Sequence, residues 1–286
     1  MRAMLDWGDV FSFQDYGELL ALLSNSIIAG AVLGIVGGLV GVFVMQRDLA
    51  FAVHGVSELS FAGAAAALLF GGSVVAGSLG GALVAAILIG VLGVKARDRN
   101  SIVGVLMPFG LGLGILFLSL VEGRTANRFG LLTGQIVSVS SPDLSWLIGI
   151  CVVVLLGLVL MWHPLRFDSL DPESAAARGV PTRFVSLALM VLLGLIVAVS
   201  VHIIGALLVM ALLVTPAAAA MRLSAGPVAV PLLAALFGFT AAVGGILLAL
   251  AGTLPVSPYI TTISFLIYGV CWLAGRMRGR VRRVRS

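Results

Sequence analysis

Val228-Ala229-Val230-Pro231-Leu232-Leu233-Ala234-Ala235-Leu236-Phe237-Gly238-Phe239-Thr240-Ala241-Ala242-Val243-Gly244-Gly245-Ile246-Leu247-Leu248-Ala249-Leu250-Ala251-Gly252 is a run of 25 residues without a charged side chain. As a helix rising about 1.5 Å per residue, such a run exceeds the roughly 30 Å hydrocarbon core of a bilayer. Lipid offers no water to backbone amides, so the segment must satisfy its own hydrogen bonds, and a helix does this. Working outward from it, comparable stretches lie at about 19–45, 49–71, 73–94, 102–121, 144–162, 184–200, 203–221 and 258–275. The abrupt junction at 200–203 reads either as a kink or as a full turn. Short alternating segments, which a β-barrel needs, are absent. Apolar residues make up 60% of the chain and charged ones 10%, against about 25% charged in soluble domains. The expected fold class is all-α, a polytopic transmembrane helix bundle of eight or nine spans. It forms one domain over residues 1–286, ending in a basic cytoplasmic tail at 276–286.

The net charge of +5 is concentrated rather than spread: Arg276, Arg278, Arg280, Arg282, Arg283 and Arg285 follow the last apolar stretch. A basic tail directly after a span is a cytoplasmic anchor near anionic lipid, and no nucleic-acid partner is implied. With that tail inside, the positive-inside rule also places inside Arg222, the 163–183 loop with Arg166, Arg178 and Arg183, the Lys95–Arg99 loop, and Gln46-Arg47-Asp48. Arg124 and Arg128 fall on the outer side and dissent. The N-terminus is then outside. Asp6, Asp9, Asp15 and Glu18 precede the first long run, which is not a signal-peptide pattern. Cys151 and Cys271 sit in apolar runs without metal-ligand spacing and read as buried small residues. The 36 glycines cluster within the spans, as in Gly37-Gly38 and Gly41, where small residues let helices approach closely.

Ionisable groups inside lipid cost several kcal/mol, so each needs a reason. Glu58 is the one carboxylate well inside a stretch, and His54 shares its helix. Four residues apart, they stand on one face one turn apart. Ser57 and Ser60 add hydroxyls nearby. An imidazole nitrogen and a carboxylate oxygen at this spacing form half of a site for Zn²⁺ or Mn²⁺. They serve equally as a hydrogen-bonded pair gluing two helices, or as a proton relay. His202, at a span end, is a further accessory polar residue or an interfacial side chain. No phosphate-binding G-x-x-x-x-G-K-[ST] loop, H-E-x-x-H helix or G-x-S-x-G elbow occurs, so the chain is not expected to be an enzyme or to hydrolyse ATP itself.

Several stretches resemble the permease family of manganese-, zinc- and iron-importing ABC transporters. Leu49 through Gly63 is similar to the family helix that carries Asp-Ala-Leu-Ser-His. Ile204 through Ala220, with Thr215-Pro216-Ala217-Ala218, is similar to its V-G-x-L-L-V-x-A-L-L-x-x-P-A-A-x-A helix. Further matches are Gly104 through Ser119, Gly134 through Ser140, and Phe167 through Pro181 with Asp171-Pro172-Glu173. At the helix that would handle metal, the family's acid is His54 here and its histidine is Glu58, while Ser57 is kept. The family's late Leu-Asp-x-Pro acid is missing, and Pro255 stands in its place.

The resemblance implies the membrane-spanning permease of an ATP-driven importer for zinc or manganese, or for iron, in a bacterial plasma membrane. It implies a homodimer, a separate cytoplasmic ATPase subunit and an extracytoplasmic metal-binding protein, with the metal as cargo and no tightly bound cofactor. His54 and Glu58 would face the pathway. Asp171, Pro172, Glu173 and Arg178 would form a short self-capped helix that docks the ATPase. Two rival readings remain open: a permease of the same architecture for a metal chelate or vitamin, and a proton-coupled secondary transporter.

Overall fold

The computed structural model describes residues 22–93, 96–121, 139–250 and 255–284, with residues 17, 20 and 136. Eleven helices run through them: α1 Ser24–Gln46, α2 Ala50–Leu69, α3 Val74–Leu92, α4 Ala96–Leu120, α5 Ser141–Leu160, α6 Trp162–Leu170, α7 Pro172–Ala177, α8 Thr182–Ile204, α9 Ala206–Leu223, α10 Ala229–Leu250 and α11 Val256–Val284. Among the described residues there is no strand. Eight of the helices are long and apolar enough to cross a membrane, and α9 supplies a shorter apolar helix. The expected all-α bundle is therefore the fold, and each of the nine apolar stretches contains a helix. The junction near 200–203 falls at Gly205, whose φ of 82° and ψ of 156° separate α8 from α9. That backbone region is open to glycine almost alone. Arg124, Arg128, Asp6, Asp9 and most of Gly134 through Ser140 lie outside the described residues.

The bundle is organised around α2, which packs on α3 and α4 and also touches α8 and α9. A second group joins α1 to α10, with α9 and α11 against them. Glycine permits the tightest of these approaches. A methyl group on Gly34 of α1 would lie 2.6 Å from the carbonyl carbon of Gly238 in α10. No side chain fits there, so backbone meets backbone and gains the dispersion contact that replaces hydrophobic drive in lipid. The outward faces of α4, α5 and α11 remain apolar, with Val105, Phe109, Val153, Leu156, Phe265 and Val270 exposed. Water would penalise such a surface, whereas acyl chains accept it.

One end of the bundle gathers the basic segments. Arg47, just past α1, forms an ion pair with Asp168 of α6. It also donates to the hydroxyls of Ser169 and Ser186 and to the carbonyl of Leu165. Arg99 of α4 donates to the Arg47 carbonyl at 3.0 Å. Gln46, Arg166, Met221 and the Ser224–Pro227 turn line one cleft of about 300 Å³. Arg222 reaches the Tyr268 hydroxyl, and its carbonyl lies against Gly275, just before the basic tail. Burial pushes the Arg47 pKa below its ordinary value and Asp168 pulls it back, while a guanidinium stays charged at any relevant pH. Removing one partner of a buried pair strands the other charge, which costs about 3–5 kcal/mol. Asp168→Ala is accordingly expected to lower thermal stability by about that amount in detergent-solubilised protein. An unchanged melting temperature would show that this clamp does not hold the fold.

Candidate metal-handling site

α2 places His54 and Glu58 one turn apart, as their spacing requires. The Nε2 atom of His54 lies 3.6 Å from Oε1 of Glu58, with side-chain exposures of 29% and 4%. The close approach of α4 keeps Glu58 covered: a methyl group on Gly110 would stand 3.0 Å from the Glu58 carbonyl carbon. Nδ1 of His54 and Oε2 of Glu58 are buried and have no hydrogen-bond partner. Among the described residues neither of these two atoms is hydrogen-bonded to another helix. Two ligands about 2.1 Å from a tetrahedral metal stand roughly 3.4 Å apart. The observed separation is near that, so the nitrogen and oxygen can share one divalent cation with little movement. Among the described residues no third His, Cys, Asp or Glu completes a cluster.

The hydroxyls of the same helix are engaged elsewhere. Ser57 donates to the His54 carbonyl at 2.8 Å. Ser60 pairs with the Ser78 hydroxyl of α3 at 2.7 Å, and Ser78 donates onward to the Ala198 carbonyl of α8. Ser60 thus ties α2 to α3 and, through Ser78, to α8. His202 does not join His54 and Glu58; its Nε2 lies 3.2 Å from Oδ1 of Asp143 in the first turn of α5. The apolar run begins at 144, whereas the helix begins at Ser141, which brings Asp143 within it. The local signal for this start is Ser140-Ser141-Pro142-Asp143. Its cap serine, early proline and acidic N3 residue mark a helix start. Ser140 accepts from the Asp143 amide at 3.2 Å. Pro255 is exposed just before α11.

α7 with its caps Asp171 and Arg178 holds the residues expected to dock an ATPase. Asp171 caps it, accepting from the Ser174 hydroxyl at 2.5 Å and the Ser174 amide at 3.0 Å, and those bonds hold its carboxyl below the usual carboxylate range. Pro172 occupies the first turn and Glu173 follows. Gly179, at a φ of 85°, turns the chain away after Arg178. The Arg178 guanidinium lies 5.5 Å from the Phe167 ring centroid, which folds α7 back on α6.

Residues 20–274 match the family described as the ABC 3 transport family. The chain belongs to that family. This ABC 3 chain is 29% identical over 225 residues to the manganese transport system membrane protein MntC of Halalkalibacterium halodurans, covering 78% of this chain and 77% of that one. It is 29% identical over 265 residues to the manganese import system permease protein ScaB of Streptococcus gordonii, covering 92% and 95%. Among solved structures it is similar to PsaBC from Streptococcus pneumoniae in complex with Fab. There the TM-score is 0.82 at 26% identity, over 91% of this chain and 95% of that one. The ABC 3 family and the eight long apolar helices together establish a multi-pass membrane permease.

Proposed function

We propose that the chain is the translocation subunit of an ATP-driven importer for a divalent transition metal, and that Mn²⁺ is its first candidate cargo. The observation that carries this reading is the covered His54–Glu58 pair, one nitrogen and one oxygen donor at metal-bridging separation with both outer polar atoms free. The manganese relatives favour Mn²⁺, while imidazole plus carboxylate also accepts Zn²⁺ and Fe²⁺. A homodimer would bring a second copy of the pair to the shared pathway. Water or that copy would then complete the ligand shell. Two protein ligands per chain make a weak site, which suits transport because a tightly held ion is not released. Metal would arrive from an extracytoplasmic binding protein, and a separate ATPase would engage α7 at the basic end. Residues 1–286 would act as one domain in a bacterial plasma membrane.

The test is uptake by membrane vesicles containing the chain with its ATPase and binding protein. Mn²⁺ should accumulate only with ATP, and Zn²⁺ and Fe²⁺ less. Uptake that survives loss of the ATPase would favour proton-coupled transport. Uptake of a chelate but not of free metal would favour the chelate reading.

The basic end should face the cytoplasm by the positive-inside rule. Labelling of cysteines introduced at Asp9 and Ser286 should find Asp9 outside and Ser286 inside. Both ends on one side would mean one crossing fewer in the 184–221 region.

A further inference from the structure

His202 lies two residues before the end of α8, and Asp143 is the third residue of α5. Their helix ends meet on the side of the bundle opposite the basic segments. α1 links the two sides: it begins where Asn25 donates to the Val139 carbonyl and ends at Arg47. Ascending from the basic end at about 1.5 Å per residue, Glu58 stands roughly 12 Å along α2 and His202 roughly 30 Å along α8. The two imidazole–carboxylate pairs are therefore separate stations, about 18 Å apart along the helices.

The upper pair has the donor set of the lower one. Nε2 of His202 and Oδ1 of Asp143 are 3.2 Å apart, and the side chains are 20% and 32% exposed. Cis ligands about 2.1 Å from a transition metal stand roughly 3.0–3.4 Å apart, depending on geometry. The Ser140 hydroxyl bonds the other carboxylate oxygen and steadies the carboxylate plane. Nδ1 of His202 is buried without a partner, so the ring's second proton position is not fixed by the fold. A tether between α5 and α8 would need only a hydrogen bond. A partly exposed imidazole facing a carboxylate on the side from which cargo arrives can do more.

We infer that Asp143 and His202 form an outer binding pair for a divalent transition-metal cation, met by the ion before it reaches His54 and Glu58. This rests on the metal-import reading above. With two protein ligands and otherwise water, the outer pair would hold the ion weakly and pass it inward.

The test is a Mn²⁺ titration of the full chain with its ATPase in lipid nanodiscs, followed by the electron paramagnetic resonance signal of free Mn²⁺. The parent should bind two classes of ion. His202→Gln keeps an N–H donor for Asp143 but loses the ring nitrogen ligand. It should weaken one class by about 10- to 100-fold with an unchanged melting temperature. Glu58→Gln should weaken the other class. If His202→Gln leaves both classes intact, the pair is a tether and the inference is overturned. Loss of binding in Glu58→Gln would in that case still support the inner site. If instead Glu58→Gln binds as the parent does while His202→Gln does not, the outer pair stands and the inner assignment fails.

Discussion

Glu58→Gln and His54→Ala are each expected to reduce metal uptake by about 100-fold or more, because on the proposed reading each would remove one of two protein ligands per chain. The change should be one of function rather than folding. Among the described residues, Nδ1 of His54 and Oε2 of Glu58 have no hydrogen-bond partner to lose. Glutamine has the shape of the glutamate and removes only charge and ligand strength. Radioactive Mn²⁺ uptake, together with growth under chelation, would be measured at matched protein levels in the membrane. Import equal to the parent in both variants would leave the pair without a role in transport. The exchange of acid and imidazole relative to the family pattern adds a sharper comparison. The double variant His54→Asp with Glu58→His restores the family order, and it should retain uptake if ligand identity matters more than order.

Ala176→Pro is expected to uncouple transport from ATP hydrolysis, cutting uptake by about tenfold or more while the ATPase still turns over; breaking a helix interior costs about 3 kcal/mol. α7 has six residues, so it has no remaining turns to absorb that loss. The Ala176 amide would be removed, and the ring would collide with the Pro172 carbonyl one turn back. The same helix is attached to the bundle through α6, whose Asp168 and Ser169 both engage Arg47 at the end of α1. A push on α7 therefore has a stiff, charged path into the spans. Glu173→Lys and Arg178→Glu should give smaller losses, since both side chains are exposed and screened. Cross-links from the ATPase that map to Lys95–Asn100, with transport intact after changes at 171–178, would sink the docking assignment.

Several of these features depend on neighbours close in sequence, and the sequence therefore determined them. Hydropathy is a property of a segment, so the helices and the membrane class were legible from residues such as 228–252. His54 and Glu58 meet because 3.6 residues make a turn, whatever surrounds them. Asp171, Pro172 and Gly179 delimit α7 by the same local rules of capping and φ. The start of α5 was also local, yet the apolar run drew the boundary at 144 and left Asp143 outside it.

What only the tertiary structure decided lies between residues far apart in the chain. His202 meets Asp143 across 59 positions, and Arg47 meets Asp168 across 121. Ser60 turns to Ser78 rather than toward Glu58. No periodicity encodes such pairings. In lipid, helices choose neighbours by close packing at small residues, as at Gly34 and Gly238, and only that choice determines which polar side chains face one another.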